Sequence, residues 1–123
     1  VYDAGVMIAI DDRRVWARHS LALEDGRDIH VPALVVSQAW RDSRRQVRLG
    51  KFLAGCHVVP VGLGTAKIAG ILCGKAGTSD IVDATVVAMA ASLGAIIWTS
   101  DPDDIRSLIE AQDIKPAPVL RTV

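Results

Sequence analysis

The chain has 123 residues, half of them hydrophobic but only 4% aromatic, and its 14 basic and 14 acidic side chains cancel. That length supports one domain, residues 1–123, with a core that needs no disulfide staples. The composition excludes disorder, and the balanced charge excludes a bulk electrostatic pull toward nucleic acid or a membrane.

No apolar run reaches the length of a membrane span and no signal-like segment opens the chain, so a cytoplasmic protein with no membrane partner is expected. Cys56 and Cys73 lack a paired spacing and sit among apolar neighbours, as free thiols of a reducing compartment do.

In chain order, Val1 to Asp3 reads as the tail of a strand. Val6 to Ile10 is an apolar run that fits helix or strand equally well by periodicity. Asp12 to Glu24 is helix-compatible, with Asp25-Gly26 as its stop, and Ile29 to Pro32 is a short strand. Leu34 to Leu53 carries helical periodicity with a break near Ser43, closed by Gly55.

His57 to Val61 suits a buried strand, and Thr65 to Cys73 returns to helical spacing. An aliphatic helix then runs to Leu93, and Gly94 ends it. Ala95 to Thr99 is a buried strand, Asp101-Pro102 opens a helix through Gln112, and Pro116 to Leu120 is an edge strand. Strands alternating with helices predict a three-layer α/β/α sandwich on a mainly parallel sheet, with aliphatic helices covering both faces.

The aspartates fall where apolar runs break: Asp3, then Asp80 and Asp83, then Asp101 and Asp104. Singly, each is explained as a helix cap or as a first-turn acid that favours the helix dipole. Jointly, the loops after Asp3 and Asp101 leave the carboxyl edge of a parallel sheet, where ligands bind. If the helix carrying Asp80 and Asp83 starts at that edge, Asp83 joins them, and Thr99 and Ser100 add hydroxyls. Carboxylates gathered this way need protons or a hard cation to neutralise them. Oxygen ligands around phosphate chemistry point to Mg2+ or Mn2+.

Val1-Tyr2-Asp3, Asp80-Ile81-Val82-Asp83-Ala84 and Thr99-Ser100-Asp101-Pro102-Asp103-Asp104, in this order, resemble the PIN domain over essentially the full length. More narrowly, the chain is similar to the VapC toxins of bacterial VapBC toxin-antitoxin pairs. The resemblance implies a metal-dependent endoribonuclease of the bacterial cytoplasm, with Asp3, Asp83 and Asp101 on the metal, Asp104 beside them, and Asp80 in support. It also implies an RNA substrate, a homodimer and a small VapB-like antitoxin.

Two positions depart from the pattern. Gln38 stands where the family's remaining acid is expected, which leaves open a weakened PIN domain that binds antitoxin or RNA without efficient cleavage. Ala4-Gly5 stands where relatives often carry hydroxyl residues that support the first aspartate.

Arg41, Arg44, Arg45 and Arg48 form the one marked basic cluster, spaced to share a helical side. Such a stripe suits RNA phosphates or an acidic antitoxin segment as well as plain solvation. Trp16 and Trp40 are candidates for the antitoxin interface, and His19, His30 and His57 are expected in surface or structural roles at element ends. A phosphoacceptor receiver domain also has this size and an acidic pocket. It needs an aspartate after a central strand and a lysine after a late one, but Gly62 follows Val61 and no lysine follows Thr99.

Overall fold

A computed structural model describes residues 1–112 and 117–123, the side chain of Arg45 excepted. Short strands alternate with helices: α1 (Ala4–Ile8), α2 (Arg13–Glu24), β1 (His30–Pro32), α3 (Ala33–Ala39), α4 (Arg45–Ala54), β2 (His57–Val59), α5 (Leu63–Ala76), α6 (Ile81–Leu93), β3 (Ile97–Thr99), α7 (Pro102–Gln112) and β4 (Leu120–Thr122).

β1 pairs with β2 and β3 with β4, both in parallel. Residues 1–3 join the two pairs. Trp98 N–H donates to the Val1 carbonyl (2.8 Å), Asp3 N–H to the Trp98 carbonyl (3.2 Å) and Tyr2 N–H to the His30 carbonyl (3.1 Å). On the β1 side the next rung would be donated by residue 32, which is proline and has no N–H. The order across the molecule is β2, β1, residues 1–3, β3, β4, so the direction of winding reverses at residues 1–3. This is the parallel α/β arrangement that the alternating pattern predicts.

α6 is the central helix, with Ala84 through Ala90 buried without a break and packing against α5, α7, α3 and both β1 and β3. An all-round apolar helix of this kind belongs inside a protein. Gly94 ends it in the left-handed region at φ 63°, the conformation that favours glycine. A second cluster forms around Phe52, where His19 stacks on its ring at 3.9 Å and Trp16 meets it edge-on at 5.1 Å. Tyr2 Oη and His19 Nδ1 share a 3.0 Å hydrogen bond within this cluster. His19 therefore lies buried inside α2 rather than at an element end, and burial lowers its pKa.

Several boundaries differ from those expected. The ambiguous run after Asp3 is helical through Ile8, because Asp3 caps it. The break expected near Ser43 in the helix over 34–53 is present, but it is wider, spanning residues 40–44 between α3 and α4. Trp40 turns extended, and the Arg41 guanidinium donates to the carbonyls of Ser37 (3.1 Å) and Trp40 (2.6 Å), satisfying the end of α3.

The strand at 57–61 stops at Val59, and His57 and Val58 are exposed, since β2 is an edge strand and Pro60 cannot extend its ladder. The helix from Thr65 to Cys73 runs longer, over Leu63–Ala76. The last strand begins at Leu120 and is an edge strand as expected; Pro116, placed in it from sequence, lies outside the described residues. Among the described residues no helix is long and apolar enough to cross a membrane.

Candidate active site

The reversal of strand order at residues 1–3 makes the carboxyl ends of the strands there a topological switch point, the usual place for a ligand in an open parallel sheet. Asp3 leaves the sheet at this edge. It is 4% exposed, and its Oδ1 accepts from Val6 N–H at 3.1 Å as the N-cap of α1. Burial raises its pKa, against the lowering effects of hydrogen bonds from Thr99, Val6 and Gly5, and the Asp101 carboxylate adds a small upward push.

Thr99 ends β3 fully buried. Its Oγ1 accepts from Asp101 N–H at 3.0 Å, which folds residues 99–101 into a tight turn, and its one proton is within reach of both the Asp101 carbonyl, at 3.0 Å, and the Asp3 carboxylate. Ser100, exposed at the tip of this turn, comes against Gly5.

Asp83 is the electrostatic centre. Its pKa is pushed up to about 7, first by burial, then by the Asp80 carboxylate and their hydrogen bond, then by Asp3 and Asp104. Asp80 is the N-cap of α6, its Oδ1 accepting from Asp83 N–H at 3.1 Å. Thr78 Oγ1 accepts from Asp80 N–H at 3.2 Å, which steadies the turn before the helix. Asp80, Asp83 and Asp104 line a small cavity of about 130 Å3, together with Thr78 and Ser107.

The aspartates are thus caps and neighbours at once. Asp104, from the first turn of α7, bears directly on Asp83, whereas Asp101 is exposed and bears on Asp3. Among the described residues, no three acidic, histidine or cysteine side chains converge tightly enough to hold a metal ion as they stand. The donor chemistry nevertheless fits a hard divalent ion. Every group is an oxygen ligand, and the mutual repulsion that raises Asp83 is what a cation relieves.

Gln38 is exposed in the last turn of α3 and brings no charge. Ser107 and Thr78 were not among the residues singled out from sequence. Ser107 had a usable signal, lying one helical turn after Asp104 on the same face of α7.

The basic stripe is largely committed elsewhere. Arg41 caps α3, and Arg48 pairs with Asp11 at 2.9 Å while lying 5.8 Å from the Trp16 ring. Arg44 is exposed, and the Arg45 side chain lies outside the description. A larger cavity, about 850 Å3, lies at the opposite ends of the strands, lined by Val1, Ile29, Ala95 and Ile96. Asp25 and Asp28 there are offset by Arg18, Arg27 and Arg121, so it holds no comparable concentration of carboxylates.

The PIN domain family model matches residues 1–109. The chain belongs to the PIN domain family. The crystal structure of VapBC2 from Rickettsia felis, bound to a DNA fragment from their promoter, is similar to this PIN domain with a TM-score of 0.72. The match covers 99% of this chain and 96% of that one at 14% identity, which is a likeness of fold. No curated protein matches the chain.

Proposed function

We propose that this PIN domain is a metal-dependent endoribonuclease, the toxin of a type II toxin-antitoxin pair. The observation that carries the reading is Asp83, which lines one small cavity with Asp80 and Asp104 and whose proton affinity is raised by burial, by both of these carboxylates and by Asp3. Asp3, Asp83 and Asp101 would hold Mg2+ or Mn2+, with Asp104 beside Asp83. When bound, the ion supplies Lewis-acid stabilisation of phosphoryl charge and lowers the pKa of an attacking water.

The chain's own residues do the rest. Asp80 fixes the first turn of α6 and so fixes the direction of Asp83. Thr99 Oγ1 accepts from Asp101 N–H, which keeps the turn rigid beside Asp3. A buried Asp3 anchored by Val6 N–H loses little freedom on binding a ligand, a form of preorganisation that favours catalysis. The similar fold is that of a VapBC2 complex, which supports a VapB-like antitoxin as partner; a homodimer in a bacterial cytoplasm is part of the same proposal.

The test is cleavage of structured RNAs by the purified chain with Mg2+ or Mn2+. Cleavage is expected to stop with chelator and to be lost in Asp3→Ala and Asp83→Ala. Product formation that ignores both the chelator and these substitutions would sink the reading.

Gln38 supports a second reading, a PIN domain that binds antitoxin or RNA without efficient cleavage, because α3 offers an exposed amide in place of a carboxylate. Binding without multiple turnover at any metal concentration is its signature, and sustained turnover excludes it.

A further inference from the structure

Gly5 occupies the first turn of α1, two residues after Asp3, where glycine costs about 1 kcal/mol of helix stability relative to alanine. Its φ is not among the positive ones, so backbone conformation does not require it. Space does. A Cβ built on Gly5 would collide with Ser100 Oγ and come within 3.2 Å of both Ser100 Cβ and Asp3 Oδ1. The Ser100 hydroxyl therefore fills the volume that any side chain at residue 5 would claim, alongside the carboxylate of Asp3. The hydrogen bond that pins the turn runs through Thr99 Oγ1, so Ser100 is not needed to hold Asp101. Ser100 is an exposed residue, and its hydroxyl lies beside Gly5 and the Asp3 carboxylate.

We infer that Ser100 is a positioning residue of the site, admitted by the missing side chain of Gly5, and that its hydroxyl orients the water or phosphate oxygen that meets Asp3. Residues 5 and 100 then form one steric unit: whichever carries the hydroxyl, the other must be small. The inference rests on the nuclease reading. It adds a coupling between two residues that are distant in the chain and adjacent beside Asp3.

The coupling is tested in the full chain with Ser100→Ala, Gly5→Ala, their double variant, and the exchange Gly5→Ser with Ser100→Gly. Mn2+ affinity by titration calorimetry, kcat and KM on RNA, and Tm are measured for each. Ser100→Ala is expected to lower both kcat and Mn2+ affinity about tenfold with KM nearly unchanged, the scale on which outer groups orient a metal site. Gly5→Ala should match it by driving the hydroxyl away, and the double variant should be no worse than either single one. The exchange should recover most of the loss in both kcat and Mn2+ affinity, an outcome that a merely structural role would not produce.

Losses that multiply in the double variant, a Gly5→Ala protein equal to the parent, or an exchange that recovers nothing at parental Tm would each overturn the coupling. If Gly5→Ala does not fold, Ser100→Ala and the exchange decide alone. A parent that neither binds Mn2+ nor cuts RNA overturns the nuclease reading, and the inference with it.

Discussion

At the scale of single residues, Gln38 tests the site most directly. α3 packs against α1, whose cap is Asp3, so a carboxylate in the last turn of α3 would face an already acidic edge. Without a cation that charge adds repulsion; with one it adds a ligand. Gln38→Glu is therefore expected to tighten Mn2+ binding and raise the cleavage rate, while lowering the Tm of the chelated protein. Unchanged affinity in titration calorimetry would show that α3 does not reach the ion.

Asp3 and Asp83 were legible in the sequence because each follows or opens a strongly patterned apolar run. The distinction between Asp101 and Asp104 was not. Both lie near the start of one helix, and which of them approaches Asp83 depends on how α7 packs against α6, a tertiary fact with no local signal.

At the scale of elements, α6 ties the fold to the site through one residue. Asp80 caps the helix and also supplies the nearest charge to Asp83, and two substitutions separate these roles. Asp80→Ala removes both, at a cost of about 1 kcal/mol for the lost cap. Asp80→Asn keeps a good capping oxygen but removes the charge, so Tm should stay close to the parent while the Asp83 pKa falls from about 7 toward its usual range. Carboxyl titration by NMR reads that shift. If Asp83 keeps its parental pKa in Asp80→Asn, the Asp80 charge is not a cause of the shift.

Helix ends with a chemical marker were readable: Gly94 after α6 and Asp101-Pro102 before α7 fall where their capping chemistry places them. The break between α3 and α4 was legible near Ser43, but its start at Trp40 was not. It depends on Arg41 folding back onto two carbonyls, and a lone arginine in a basic stripe does not announce that role. The exposure of β2 was hidden for a related reason. His57 to Val61 has the composition of a buried strand, but a strand order with β2 at the edge leaves one side without a partner.

At the scale of the whole molecule, the metal-free chain carries an electrostatic burden at its strand edge that follows from its winding. The reversal at residues 1–3 brings the acids of α6 and α7 toward Asp3, and pH should reveal the cost. Asp83 has a folded pKa of about 7 against an ordinary 3.8, so the folded state holds this proton more tightly than the unfolded chain. The resulting stabilisation is fully present below the ordinary value and is lost as pH rises through about 7. His19 acts in the opposite sense: burial lowers its pKa, so folding becomes less favourable as pH drops below its ordinary 6.5.

Comparison with Asp83→Asn isolates the aspartate, because His19 contributes equally to both proteins. In the presence of chelator, the Tm advantage of Asp83→Asn over the parent should grow as pH rises from about 4 to about 7. Mn2+ should then raise the parent's Tm at neutral pH and leave the variant's nearly unmoved, since only the parent keeps the carboxylate that the proposed site assigns to the ion. A pH-independent difference in Tm would mean that Asp83 titrates alike in both states, and an equal Mn2+ response would place the cation away from Asp83.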